Sequence, residues 1–347
     1  MFAVPSASLP RSAFVRMSRS RLLRKYMGRP YLRLNIWIWK HLPASLGSWR
    51  LVCAYGVHLQ SLIQMQLTRA QSVGTFFFRN RPELELAVRL IDQRPRGAEL
   101  SMAILGCSKG AEVYSFSYAI KSARPDLIVS IWALDISKDI LEFAEAGVYS
   151  FKGRDDYAAE GAPSTAPSGG EATSRDVAAN TSRDQPSASI FERMSPDEME
   201  AMFDREGDLV RVKPRYREGI NWRVGNAGDP ALEVDFGLQD IVIANRFLCH
   251  MHPEEAEACL RQLARLVKPG GYLFVSGVDL SVRSKIVGEL GFGPVTELIK
   301  EIHDGDPSVR RDWPLGYWGL EPFDQRRIDW QTWYASVFQR PLCSGIK

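Results

Sequence analysis

Gly106 and Gly110 bracket a Cys-Ser-Lys turn, Glu112 follows two residues past the second glycine, and Asp135 stands 29 positions past the first. A glycine directly after an apolar run lets the backbone come close to a ligand, and an acid closing the next run can accept hydrogen bonds from both hydroxyls of a ribose. The turn is not GxGxxG and lacks the Lys-Ser/Thr ending of a phosphate loop. A ribose acid without a phosphate cradle points to a nucleoside ligand that carries no pyrophosphate. S-adenosylmethionine fits that description, with a dinucleotide on an unusual turn as the alternative. Glu112 has a second reading, as an acid stabilising the first turn of the helix that follows. Farther on, His250 and His252 in FLCHMHP are of the residue type that most often serves as a general base. Either is equally a surface histidine, and as a metal pair they lack a third ligand nearby, so no metal is expected.

These residues need strand ends and helix starts to hold them. AILGC (103–107), IVSIWALD (128–135), DIVIAN (240–245) and YLFVSG (272–277) are short apolar runs bounded by turn residues. Unbroken apolar strands of this kind suit a parallel sheet covered on both faces. Helix-like stretches at Ala111–Ala123, Asp139–Ala146 and Pro253–Leu266 separate them. The alternation predicts an α/β fold, doubly wound with a mostly parallel, Rossmann-like sheet. Residues 1–72 read as a basic helical N-terminal region, in which Ile36–Trp39 seal a small helical subdomain. Residues 155–190 are poor in aromatic and branched aliphatic side chains, too poor to offset ordering entropy, and read as a disordered insertion.

An apolar share of 45% and a charged share of 24% place the 347-residue chain among ordinary soluble globular proteins. Five scattered cysteines with no CxxC pair suggest free thiols in a reducing compartment. No apolar run reaches the ~18 residues of a membrane span, and no clean apolar signal follows the first basic residues. The net charge of +3 conceals an asymmetry. Thirteen Lys/Arg and no acid precede Glu83, leaving thirty-one bases against forty-one acids in the remainder. The basic arm suits an acidic protein, an acidic lipid surface or the acidic body of its own chain. Its Arg- and Ser-rich start also admits an organellar transit peptide. The expected location is cytoplasmic, with a peripheral membrane position open to it.

Five segments in register resemble the chemotaxis receptor methyltransferase (CheR) family, whose members use S-adenosylmethionine. They are VGTFFFRN (73–80), GCSKGAEVYS (106–115), ALDISKDILEFAEAGVYS (133–150), residues 191–230, and LVKPGGYLFVSG (266–277). The resemblance spans roughly residues 73–278. It implies a class I methyltransferase fold over 73–154 and 226–347, with a small inserted subdomain at 191–225. It also implies that Thr75 and Arg79 lie near the methionine end of the cofactor, where an arginine can pair with its carboxylate. Glu112 then faces the cofactor's amino group, Asp135 the ribose, and Asn226 with Ala227 the adenine. Ala227 replaces a family leucine and Val73 a family asparagine. The family's Arg-Asn after the fourth strand is here Asn245-Arg246, in reversed order, and His250 stands where the family has tyrosine.

Methyl transfer from a sulfonium is an in-line displacement, for which a protein mainly supplies alignment and a dry pocket. A carboxylate acceptor needs no base; a hydroxyl acceptor benefits from one, and His250 is the candidate catalytic residue. Trp313, Tyr317, Trp318 and Phe323 lie among Pro and Gly as in a lid over a pocket, and TWYASVF (332–338) reads as a last antiparallel strand. The lid, the altered N-terminus and His250 favour O-methylation of a small molecule. The inserted subdomain favours a protein glutamate, as in the family. A non-catalytic sensor of the cofactor or its demethylated product is the third reading. A nucleic-acid acceptor is disfavoured, because the Pro-Pro-Tyr/Phe motif of amino-directed base methylases is absent and a basic arm alone is a weak signal.

Overall fold

Met102 and Ile104 are buried on one face of the first central strand and Ala103 and Leu105 on the other, which is why this run reads as unbroken apolar sequence. The computed structural model describes residues 29–43, 50–66, 74–151, 189–306, 313–315 and 320–342, which fall into two compact units. The disordered insertion expected over 155–190 lies, but for its last two residues, outside the described residues, as do Val73, Tyr317 and Trp318.

The first unit holds helices α1 (Arg29–Lys40) and α2 (Arg50–Gln66) together with residues 313–315. Ile36, Leu59 and Ile63 form its core, with Leu32, Trp39 and Leu315 packed against them. Trp313 stands edge-on to Trp39 and donates its indole N–H to Gln60 Oε1 at 3.2 Å. Gly56 is required here, because a Cβ on it would lie 2.2 Å from the Trp313 ring. Trp313 is therefore core packing of the helical unit, not part of a lid.

The second unit begins with α3 (Arg81–Ile91), then β1 (Glu99–Leu105), α4 (Ala111–Ala123), β2 (Ile128–Asp135), α5 (Lys138–Ala146) and β3 (Val148–Ser150). After the insertion come α6 (Pro196–Met202), β4 (Phe203–Glu206), β5 (Leu209–Val212), α7 (Pro214–Arg217), β6 (Ile220–Val224) and α8 (Leu232–Phe236). β7 (Gln239–Asn245), a 3-10 turn (Leu248–His250), α9 (Pro253–Arg265), β8 (Val267–Ser276) and α10 (Leu280–Glu289) come next. β9 (Gly293–Pro294), α11 (Ile299–Asp304), α12 (Trp330–Tyr334) and β10 (Val337–Gln339) complete the described elements.

Seven strands form one sheet in the order β6-β2-β1-β7-β8-β10-β9. The first five run parallel, and β10 is antiparallel to both β8 and β9. This is the expected doubly wound, Rossmann-like sheet. The chain turns to opposite sides of β1 when it adds β2 and later β7, so the switch point lies at the carboxyl ends of these strands, where such sheets bind ligands. One covering layer packs Phe77, Tyr114 and Phe116 onto the sheet, and the other packs Leu260, Leu263 and Ile286.

Two expectations need correction. The inserted subdomain is a three-stranded antiparallel sheet, β3-β5-β4, but the segment 220–224 expected within it pairs with β2 as an edge strand of the main sheet. Backbone pairing recruits β6 although its side chains are half-exposed. Of the aromatic segment 332–338, residues up to Tyr334 close a short helix, and only Val337 onward enters the antiparallel strand. Phe77, Tyr149, Phe191 and Phe203 pack into one aromatic cluster, with Phe77 stacked on Phe191 and the other pairs edge-to-face, that fastens the small sheet to its unit. Among the described residues no helix is long and apolar enough to cross a membrane, and Cys53, Cys107, Cys249 and Cys259 take part in no disulfide.

Candidate cofactor site and its arginine cluster

Loops leaving the carboxyl ends of the parallel strands build the cavity at the switch point. In register, Leu105 faces Leu134, Asp135 faces Val224, and Asn245 faces Ser276. The loops just past these positions therefore open at one level. They line a cavity of about 210 Å³ wholly within the second unit. Thr75, Arg79, Gly106, Glu112, Asp135, Asn226, Ala227, Asn245, Arg246 and His250, drawn from five separate stretches of sequence, all line it.

Gly106 begins the turn after β1 with φ +68, and a Cβ there would lie 2.8 Å from the Phe247 ring. Both restrictions select glycine. Gly110, with φ +81, serves as the N-cap of α4 and delivers Glu112 in its first turn. Asp135 ends β2 and accepts from the backbone N–H of Ser108 at 2.8 Å and of Ser137 at 3.0 Å. It thus ties the glycine turn to the start of α5 while still bordering the cavity. Asn226 folds its own turn, its Oδ1 accepting from Gly228 N at 2.9 Å, and Ala227 is buried beside it. With Leu134, Ile136 and Ile140 they make the apolar end.

The opposite end is charged. Asn245 Nδ2 donates to Glu83 Oε1 at 2.7 Å and to Glu112 Oε1 at 2.8 Å. Its Oδ1 is fixed in turn by Ser276, which donates from both N (3.0 Å) and Oγ (2.8 Å). One amide therefore holds two carboxyl groups together. Burial, followed by the neighbouring Glu112, pushes the Glu83 carboxyl up to about 7, and burial also raises Glu112. Glu83 was not among the residues expected from sequence. Its only signal was its place four residues past Arg79.

Arg246 follows Asn245 in the left-handed region, at φ +61. The chain accommodates this by placing Gly277 so close that a Cβ on it would lie 2.6 Å from Arg246 Cα. The reversed Asn-Arg order is thereby resolved: Asn245 holds the carboxyl pair, and Arg246 turns to Asp306 at 2.8 Å. Asp306 is also met by Arg193 at 3.0 Å and by Arg79 at 3.9 Å. Arg79 further donates to the Gly74 carbonyl at 2.7 Å, and the guanidinium groups of Arg79 and Arg193 lie over the Phe76 ring. Burial, then the like charge of Arg246, lowers Arg79 to about 10, which leaves it cationic at neutral pH. Asp306 and Arg193 carry no local sequence signal, since they meet only in the fold.

His250 occupies the 3-10 turn after β7 and borders the cavity, whereas His252 is the N-cap of α9, its N–H donating to Glu255. The lid reading fails for the described aromatic residues. Phe323 packs against Trp330, His303 and Tyr334 instead of the cavity.

The donor set fits S-adenosylmethionine: carboxyl groups for an ammonium, Arg79 for a carboxylate, an acid for a ribose and an apolar end for a purine. Comparison with known proteins agrees. Residues 74–155 match the family described as CheR methyltransferase, SAM binding domain, and residues 197–275 match a methyltransferase domain family. A chemotaxis protein methyltransferase of Vibrio parahaemolyticus is 26% identical over 178 residues, 50% of this chain and 51% of that protein. A probable biofilm formation methyltransferase, WspC, of Pseudomonas putida is 29% identical over 109 residues, 31% of this chain and 26% of that protein. The chain thus spans about half the length of the first relative and less of the second. Among solved structures, magnesium protoporphyrin IX methyltransferase from Synechocystis with bound S-adenosylmethionine is 15% identical, covering 69% of this chain and 87% of that one, at a TM-score of 0.32. The sequence matches support the expected reaction class and cofactor, a CheR-type methyltransferase domain that uses S-adenosylmethionine.

Proposed function

Proceeding from a CheR-type, S-adenosylmethionine-dependent methyltransferase domain, we propose that the protein methylates a carboxylate oxygen, and that the acceptor is a glutamate side chain of a protein. The observation that carries this reading is the arginine cluster. Three guanidinium groups share the single carboxylate of Asp306, and two of them, Arg79 and Arg246, line the cavity. One cation can be taken by the carboxylate of the cofactor's methionine moiety, which leaves positive charge for an anionic acceptor. A carboxylate is already ionised at neutral pH, so the chain need only align it in line with the methyl group and exclude water. The bound cofactor supplies an electrophilic methyl on a sulfonium. On this reading Glu83, Glu112 and Asn245 hold its ammonium end, Asp135 its ribose, and Asn226 with Ala227 its adenine. Thr75 stands at the methionine end beside Arg79.

Two further observations favour a protein over a small molecule. The small antiparallel sheet β3-β5-β4 stands in this unit as a separate feature, in the part of the sequence that resembles the family's substrate-contacting subdomain. The described aromatic residues expected to form a small-molecule lid pack elsewhere. His250 at the rim supports a second reading, a hydroxyl acceptor deprotonated by that imidazole. The test combines purified protein, methyl-labelled S-adenosylmethionine and a lysate of the host cell. Label in precipitated protein, released as methanol by alkali, is the expected result. Label in the organic extract and absent from protein would overturn the protein acceptor. Tight product binding with no label anywhere would make the chain a sensor.

A further inference from the structure

Helix α1 buries one side and leaves an apolar side to solvent. Ile36 and Asn35 are buried, and Leu32 and Trp39 pack with Leu59 and Ile63 of α2. On the far side Leu34 is 54% exposed, Trp37 59% and Ile38 37%, and Tyr31, 45% exposed, stands at the edge of this face with its ring edge-on to His58 of α2 and its hydroxyl 3.3 Å from His58 Nε2. At 100° per residue these four fall within one arc of about 120° along the helix. Arg33 and Lys40, both exposed, border that arc on its Trp37 side. An apolar stripe of this size on a two-helix unit calls for an occupant.

Charge identifies the occupant. Residues 1–82 contain thirteen Lys/Arg and no Asp or Glu, so nothing in this stretch of sequence repels an anionic surface. The stripe itself is made of residue types that settle at a lipid headgroup boundary, with Trp and Tyr beside Leu and Ile, and basic residues along the edge. The helix has 12 residues, too short to span a bilayer, and among the described residues no helix is long and apolar enough to cross one. We propose that α1 is a membrane-surface anchor, which lies in the interface of an anionic lipid bilayer with Leu34, Trp37 and Ile38 toward the acyl chains and Tyr31 at their edge. Arg33 and Lys40 reach the headgroups. The inference is independent of which acceptor the second unit methylates.

Flotation of the full-length protein with vesicles tests it. Phosphatidylcholine vesicles are compared with vesicles that also contain phosphatidylglycerol, at low and at high salt. Binding is expected to the anionic vesicles and to fall about tenfold with phosphatidylcholine alone or when salt screens the headgroups. The double variant Leu34→Ser/Trp37→Ser is expected to lose about tenfold in binding, because both apolar contacts go. Arg33→Glu/Lys40→Glu is expected to lose the preference for anionic lipid. Unchanged hydrogen exchange in peptides covering α1 and α2 reports that the helical unit of each variant is folded, and retained thermal stabilisation by S-adenosylhomocysteine reports the same of the second unit. Absence of binding to the anionic vesicles, or binding unchanged in both variants, overturns the proposal. A dimer in solution that Leu34→Ser/Trp37→Ser dissociates would assign the stripe to a second copy of the chain instead.

Discussion

Two acids share one amide at the charged end of the cavity, and burial raises the Glu83 carboxyl to about 7. A carboxyl raised from 4.5 to about 7 in the folded state binds its proton there while the unfolded chain has already released it. Stability therefore falls as pH rises through that window, is not penalised below 4.5, and carries the full cost above 7. At 1.36 kcal/mol per pKa unit the cost reaches about 3 kcal/mol. Glu83→Gln keeps an acceptor for Asn245 and removes the titration. Urea midpoints of the cofactor-free protein should lie close together for variant and wild type at pH 5 and separate further by pH 8, with the variant the more stable. Parallel curves across that range would mean that Glu83 is ionised in the fold. Asp306 sets the other local balance. It faces Arg79, Arg193 and Arg246 while almost wholly buried, and an uncompensated cluster of guanidinium groups would cost several kcal/mol.

Strand ends and the turns after them, more than helix faces, assemble the site. Gly106 shows how narrow that tolerance is, because both its φ of +68 and the Phe247 ring 2.8 Å from a virtual Cβ oppose a side chain. Gly106→Ala should cost about 1–2 kcal/mol of stability and weaken S-adenosylhomocysteine binding at least tenfold by calorimetry. Adding Phe247→Ala should recover part of the affinity but not the backbone cost. Full affinity in Gly106→Ala alone would show that the turn does not border the cofactor. The same elements explain what was legible in the sequence. β2 and α4 match their sequence-based bounds, and β7 and α9 differ by one residue, because their apolar runs and turn residues agree with the burial they meet. Asp135 and Glu112 could be read because each sits at a fixed offset from the glycine turn. β6 was misplaced because its recruitment depends on pairing with β2 and not on an apolar run of its own. Asp306 and Glu83 were missed because long-range contacts give them their roles: Asp306 lies 113 residues from Arg193, and Glu83 162 from Asn245.

The molecule divides into two compact units with separate cores, and the division makes a prediction that no single residue makes. Every residue bordering the cavity belongs to the second unit, whereas the core of the first is Ile36, Leu59 and Ile63 with Leu315 packed on it. A ligand that binds only the folded second unit stabilises it by about 2.7 kcal/mol at a hundred times its dissociation constant. Hydrogen exchange followed by mass spectrometry, with and without S-adenosylhomocysteine, would map where that free energy goes. Slower exchange is expected in peptides covering Gly106–Phe116, Leu134–Ile140, Gly225–Ala227 and Asn245–Met251. Peptides covering α1 and α2 should exchange at the same rate in both conditions. Unchanged exchange at the cavity would refute the cofactor site. Slowing that extended into α1 would show that cofactor binding and the apolar stripe are coupled through the fold, so that attachment to a surface and methyl transfer could regulate one another.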